Sequence, residues 1–180
     1  MNSADLERER PIRVVAIVEG TSVDGPGLRT SVYFAGCEHH CPGCHNPHTW
    51  DAEAGVSMSV SEIIDKIKAS GSRLVTFSGG DPMFQARLLV PLAQKLHAAG
   101  FDIWCYTGYT FESIMASERM MELMPYINVL VDGPYVSALR DTRNLLFRGS
   151  SNQRLIDVSR SLAEGKAVDW IPDVSPDFSE

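Results

Sequence analysis

The chain has 180 residues, with 16 Lys and Arg against 23 Asp and Glu, for a formal charge of −7. A surface of that sign does not suit broad contact with a phosphate backbone, which needs clustered cations, so direct nucleic-acid binding is not expected. Its 44% hydrophobic and 22% charged residues fit one globular domain, and no apolar run approaches the ~18 residues of a membrane span.

The opening from Met1 to Pro11 is polar and charged, unlike the apolar core of a secretory leader. Four cysteines, three of them clustered, then point to a reducing cytoplasm, where thiols bind metal more often than they pair. Arg13 to Glu19, rich in Val and Ile, predicts a short strand ended by Gly20. Asp24-Gly25-Pro26-Gly27 must be irregular, since two glycines flank a proline that fixes its own φ and restricts its neighbour. On residue type alone a plain turn accounts for it.

Thr30 to Ala35 is β-branched and aromatic and predicts a strand that delivers the chain into Cys37-Glu38-His39-His40-Cys41-Pro42-Gly43-Cys44. Three thiolates so close together can hold an iron–sulfur cluster and leave one iron without a protein ligand. With His45 or His48 as a fourth ligand, the same cysteines can make a Cys3His zinc site; spacing alone leaves both open. Gly36, Pro42 and Gly43 keep the backbone turning, so that amides can face the sulfurs. His39, His40, His45 and His48 can each be a ligand, a base or a solvated bystander. Cys105 stands in an apolar run far downstream and reads as structural.

Ser59 to Ala69 has Val60, Ile63, Ile64 and Ile67 at helical spacing, a Ser59/Glu62 capping box, and Gly71 after it. Leu74 to Phe77 predicts a buried strand ending in Ser78-Gly79-Gly80-Asp81-Pro82. There the glycines would let a ligand approach the backbone, or Asp81 would simply cap the next helix. A helix over Phe84–Ala99 stops at Gly100, a strand over Phe101–Tyr106 ends at Thr107-Gly108, and a helix follows from Phe111 to about Met124. Met115, Met120, Met121 and Met124 read as core filler in that helix. Pro125 interrupts it, and Asn128–Val131 predicts a strand ending at Asp132-Gly133-Pro134.

Asn144–Phe147 predicts a last strand and Leu155–Val158 a closing turn. Arg140 to Arg154 gathers four arginines against Asp141, while Asp157 to Glu180 gathers six acids against Arg160 and Lys166; a solvated basic face beside an acidic tail is the plain reading. From Ser161 the tail is expected to be mobile, able to lay Trp170 and Phe178 on the surface. Strand and helix alternate as in parallel βα units, yet too few times for a closed barrel of about 250 residues. The expected fold is α/β, a partial open (β/α) barrel over residues 1–160 with an acidic tail at 161–180. Its missing wall would admit a large protein substrate.

Three groups of residues carry a resemblance. Asp24-Gly25-Pro26-Gly27-Leu28-Arg29 precedes the cysteines, Cys44-His45-Asn46-Pro47-His48-Thr49-Trp50 closes them, and Ser78-Gly79-Gly80-Asp81-Pro82 follows a strand. Together they resemble the radical S-adenosylmethionine enzymes, in particular the activating enzymes that install a glycyl radical on a partner. Val131-Asp132-Gly133-Pro134-Tyr135 and Arg148-Gly149-Ser150-Ser151-Asn152-Gln153-Arg154 are similar to the branch acting on anaerobic ribonucleotide reductase. The likeness runs from about Ile12 to Asp157.

It implies a 4Fe-4S cluster on Cys37, Cys41 and Cys44, with the amino and carboxylate groups of S-adenosylmethionine on the fourth iron. It places the cofactor against Gly43, Cys44, His45 and Gly79-Gly80-Asp81, with Thr107 and Asp132 at neighbouring strand ends. Asp24 becomes the catalytic-site candidate for orienting the target glycine, and Arg148 or Arg154 suits the cofactor carboxylate or a partner, since guanidinium forks match planar anions. The implied partners are the glycyl radical subunit of anaerobic ribonucleoside-triphosphate reductase and an electron donor such as a flavodoxin. The chain departs from the wider family in two places: Asp81 replaces the more general glutamate, and Tyr106 stands where an acidic residue would serve a monovalent cation. Other readings are an activase of pyruvate formate-lyase, a small-molecule radical enzyme such as a deazapurine synthase, and a zinc-binding adaptor.

Overall fold

The computed structural model describes residues 11–172 apart from 142 and 144. Its strands are β1 Ile12–Thr21, β2 Arg29–Phe34, β3 Val56–Met58, β4 Leu74–Gly79, β5 Asp102–Tyr106, β6 Val129–Asp132 and β7 Arg154–Asp157. They form one open sheet in the order β3-β1-β2-β4-β5-β6-β7. The central four, β2, β4, β5 and β6, run parallel. At the flanks β1, β3 and β7 each run antiparallel to the neighbour they extend. The helices are α1 Val60–Ala69, α2 Ala86–Ala98, α3 Phe111–Met115, α4 Glu118–Met121 and α5 Val158–Glu164.

Side chains alternate across a strand, and here the alternation separates structure from site. Val32 and Phe34, Val75 and Phe77, Ile103 and Cys105, and Leu130 pack into the main core with the helices. The residues between them, Ser31 and Tyr33, Thr76 and Ser78, Trp104 and Tyr106, Val129 and Val131, face the other side. At the N-terminal end of that inner face the guanidinium of Arg29, fully buried, donates to Thr76 Oγ1 (2.8 Å), Val75 O (2.7 Å) and Asp102 Oδ1 (2.6 Å). It lies 5.3 Å from the Trp104 ring, against which Phe147 and Trp170 also pack. Burial lowers the Arg29 pKa, and the Asp102 carboxylate opposes that shift. Pro26 O and Asp24 O are tied to Arg29 and Thr76, which fastens the Asp24–Gly27 loop over this plug.

Sequence signals hold where they are local. Ser59 and Glu62 exchange the two bonds of a capping box, so α1 starts where predicted. They fail where a distant partner decides. The single helix expected from Phe111 to Met124 is broken into α3 and α4, because Ser117 starts a new helix by accepting from Met120 N. Met120 and Met124 are buried as core filler, but Met115 is 37% exposed. The expected strand at Asn144–Phe147 is absent over the described residues 145–147, where Phe147 has φ +59, incompatible with extended pairing. The last strand lies instead at β7, in the segment read as a closing turn, with Ile156 opposite Leu130 and fully buried.

The tail boundary at residue 161 also needs correction. Ser161 lies inside α5, which ends at the left-handed Gly165. The chain then returns so that Asp169 bridges to Ile156 and Trp170 N donates to Leu155 O at 2.8 Å. Trp170 thus docks on Trp104, while Phe178 and the rest of the acidic tail from residue 173 lie outside the described residues.

Candidate active site

The cysteine loop leaves the C-terminal end of β2, the edge at which parallel α/β sheets gather their chemistry. Gly36 N donates to Thr49 O (2.8 Å) and Cys37 N to Trp50 O (3.1 Å), so the loop's entry is pinned to its exit. Gly80 N donates to Phe34 O and Asp81 N to Gly36 O, each at 2.8 Å, joining the loop after β4 to the same backbone. A β-carbon on Gly80 would come within 2.4 Å of Gly36 O and 2.7 Å of Thr49 O. The glycine is therefore demanded by three backbones meeting, a tighter reason than the ligand approach anticipated from sequence.

Cys37, Cys41 and Cys44 line a cavity of about 130 Å³ together with Gly79, Gly80 and Thr107. All three thiols are partly buried, and Asn46 N donates to Cys44 Sγ at 3.4 Å. Burial pushes the Cys37 thiol pKa up, Asp81 and Cys41 add to the shift, and backbone amides of His39 and His40 oppose it. Cys105 is buried among core side chains and its pKa is raised well above the usual thiol value by that burial. Among the described residues no three His, Cys, Asp or Glu side chains are gathered closely enough to hold a single metal ion. The donor set fits a cluster, a larger object than an ion: three converging thiols, and a backbone amide already turned to one of the sulfurs.

Asp81 does two jobs at once. Its carboxylate caps the following 3-10 turn through Met83 N (2.9 Å) and accepts from Thr107 Oγ1 (3.0 Å) and Gly108 N (2.9 Å). His39 Nε2 lies 3.0 Å from Asp81 Oδ2, close in distance but without the alignment of a hydrogen bond. Contact with Asp81 raises the His39 pKa, and burial opposes the shift. The His39 ring also stacks edge-on with Tyr109, 4.5 Å away, whose hydroxyl donates to Glu38. Three loops are thereby clamped around the thiols.

A second cavity of about 560 Å³ adjoins the first and shares Cys44, Ser78, Tyr106, Tyr135 and Gln153 with it. Asp24, Tyr33, His45 and Arg148 lie on its own wall. Asp24 Oδ2 accepts from Ser31 Oγ (2.7 Å) and Tyr33 OH (3.0 Å). His45 is exposed and tilts against Tyr135, 5.1 Å away. His40 packs edge-on against Trp50, while His48 is exposed and lines neither cavity. Gly43, at φ +78, turns the loop between Cys41 and Cys44 and also lies outside both linings.

Asp132 and Arg154 are elsewhere. The Asp132 carboxylate, buried, accepts from Phe111 N (2.7 Å) and from Arg154 Nε (3.0 Å), and Arg154 also donates to Glu112 at 2.8 and 3.0 Å. Hydrogen bonds from Arg154 hold the Glu112 carboxyl well down, at about 2. Neither Asp132 nor Arg154 lines either cavity, and the two are engaged with each other and with Glu112 and Phe111 N. Sequence reading gave Tyr33 no place in the site, and named Ser78 and Gln153 only within motifs and Tyr106 only as a departure from the wider family. Period-two alternation along β2, β4 and β5 would have put Tyr33, Ser78 and Tyr106 on the inner face. Gln153 locks the end wall, taking Gly149 N and giving to Gly133 O.

Burial raises the Tyr33 pKa to about 12 with help from Asp24, does the same for Tyr109 beside Glu38, and carries Tyr106 higher still. The folded chain keeps protons that the unfolded chain releases near pH 10, so stability is full below that pH and falls as pH rises toward about 12. Tyrosinate absorbance in an alkaline titration is expected to lag for these three residues and to appear together with unfolding.

The profile of the 4Fe-4S single cluster domain family matches residues 23–156. A protein of Salmonella typhimurium is 40% identical over 141 residues, covering 73% of this chain and 89% of the relative. One of Escherichia coli K12 is 38% identical over 143 residues with the same coverage, and one of Enterobacteria phage T4 is 37% identical over 140, covering 74% and 86%. All three are called anaerobic ribonucleoside-triphosphate reductase-activating protein. Among solved structures, QueE from Escherichia coli aligns with a TM-score of 0.48 at 20% identity, over 61% of this chain and 57% of that one. The site and the matched profile define an iron–sulfur protein of the single-cluster 4Fe-4S class. Within it, the chain belongs to the family of anaerobic ribonucleoside-triphosphate reductase-activating proteins.

Proposed function

We propose that this chain activates an anaerobic ribonucleoside-triphosphate reductase by generating a glycyl radical on it. The observation that carries the reading is the interlock at the sheet's C-terminal edge: the cysteine loop and the Gly79–Asp81 loop share a backbone seam and one cavity. When bound, S-adenosylmethionine on a reduced 4Fe-4S cluster supplies the chemistry, breaking a carbon–sulfur bond to give methionine and a 5'-deoxyadenosyl radical that takes a hydrogen atom from the partner glycine.

The protein's part is to hold and orient. Cys37, Cys41 and Cys44 bind the cluster, and the half-buried backbone at Gly79 and Gly80, on the wall of the same cavity, receives the methionine end of the cofactor. Asp81 fixes that backbone, held by Met83 N, Gly108 N and Thr107, which stands on the wall of the same cavity. The larger cavity, lined by Tyr33, His45, Tyr106 and Tyr135 among others, would take the nucleoside. Asp24, held by Ser31 and Tyr33, faces the same space and orients the incoming glycine segment, whose lack of a side chain permits close approach. Arg148, which lines this cavity, contacts the cofactor carboxylate or the partner chain. Reduction comes from an external donor such as a flavodoxin, and the setting is the cytoplasm. Among the described residues no helix is long and apolar enough to cross a membrane.

The test is incubation of the reduced, cluster-loaded chain and S-adenosylmethionine with candidate partners, followed by electron paramagnetic resonance. A glycyl doublet is expected on the anaerobic reductase. A doublet on pyruvate formate-lyase alone would move the assignment to that activase, and turnover of a small molecule with no doublet on any partner would move it to a synthase.

A further inference from the structure

We propose that a third cavity, on the back of the cofactor loops, binds a phosphate-class oxyanion. It measures about 250 Å³, shares no lining residue with the two site cavities, and is walled by Arg13, Arg87, Arg119, Glu53, Phe84 and Gln85 among others. Three guanidiniums therefore share it with one carboxylate. Arg87 is held by Glu122 at 3.0 Å. Arg13 and Arg119 meet only neutral acceptors: Ser57 Oγ and Gly55 O, each 3.2 Å from Arg13, and Phe84 O, 2.8 Å from Arg119. Among the described residues neither has a carboxylate within ion-pair distance. The Nε of Arg13 is buried and has no partner among them.

Two half-buried cations from different elements line one cavity with donors unspent, and an anion between them would accept from both. A guanidinium fork presents parallel donors at the spacing of two oxyanion oxygens, and a tetrahedral phosphoryl group can accept from two forks at once. The cavity has room for that group and part of whatever bears it.

Its position connects it to the site. Gln85 binds both the N–H and the C=O of Arg13 and donates to Ala35 O, one residue before Gly36. Phe84 N donates to Asp81 O, and a β-carbon on Gly36 would meet the Phe84 ring at 2.3 Å. An anion gripped by Arg13 and Arg119 would brace the turn on which both cofactor loops rest, from the side opposite the thiols. The proposal does not depend on which glycyl radical enzyme is the partner.

Isothermal titration calorimetry of the anaerobically prepared full chain with inorganic phosphate, at constant ionic strength, is expected to show one saturable site per chain. Parallel titrations with tripolyphosphate and ATP identify the source of the phosphoryl group by which of the three binds tightest. Arg119→Gln is expected to weaken binding about tenfold or more, Arg119→Lys less, since it keeps the charge and loses the fork. Arg13→Gln should act like Arg119→Gln; because Arg13 also braces Gly55 and Ser57, the Arg119 pair decides if that variant does not fold. Arg140→Gln, on an exposed segment, should leave the affinity unchanged. Heats that do not saturate, or an Arg119→Gln chain that binds as well as the parent, overturn the proposal.

Discussion

Cys41→Ala is expected to leave an anaerobic column without its cluster and to cleave S-adenosylmethionine at least about a thousandfold more slowly than the parent, the scale seen when a group central to a catalytic unit is removed. The parent should carry about four iron and about four sulfide per chain. No other thiol can replace the lost one, because Cys105 is buried among core side chains. Cys105→Ala is the control: iron, sulfide and cleavage should persist, with only a modest loss of stability from a small core deletion. A Cys41→Ala chain that kept iron and cleavage, or a parent that held zinc instead of iron, would remove the basis of the proposed chemistry.

Arg29→Ala is expected to be the most destabilising single change on the inner face. It removes a fully buried guanidinium beside Trp104 and takes its donors away from Val75 O and from the Thr76 hydroxyl, which keeps its bond to Asp24 O. Truncating a side chain of this size in a packed interior costs about 3–5 kcal/mol. For a chain of this size that is a drop of roughly 6–20 °C in Tm. Arg29→Met should recover part of the loss, since the thioether refills volume against the indole and Asp102, 38% exposed, can turn to water. Thermal denaturation followed by Trp fluorescence measures both. Equal stability of the Ala variant and the parent would mean that the plug contributes nothing to holding the Asp24 loop.

The fold was legible to the extent that its signals are local. The valine- and isoleucine-rich segments, the Ser59/Glu62 box and the glycines after helices placed β1, β2, β4, β5, β6, α1 and α2 within a few residues, and their alternation gave an open α/β sheet; the three-residue β3 was too short to announce itself. Ser117 was missed because Ser is also an ordinary helix residue until its side chain turns back to a backbone amide. β7 was missed because what makes Leu155–Ile156 a strand is the exposed edge of β6, a partner more than twenty residues away. The same limit applied at the site. The cysteine and glycine loops could be named from sequence, but not that Asp81 would face Thr107 and His39, nor that Asp132 would be taken by Arg154. Gly80 illustrates the point most sharply: its constraint is set by Gly36 and Thr49, and nothing in its own neighbourhood of sequence announces them.

The sheet's two outer margins are unlike, and this bears on how copies of the chain can stick together. The rim beyond β7 is already occupied where Asp169 bridges to Ile156, so that side offers little open hydrogen-bonding backbone. The rim beyond β3 is free among the described residues but only three residues long, Val56–Met58, with Val56 61% exposed. That strand covers only Ile12–Val14 of β1, so β1 from Val15 to Thr21 keeps an unpaired edge on the same side among the described residues. Edge-to-edge polymerisation has its longer starting point there, and clipping the chain before Asp169 would unmask another along β7.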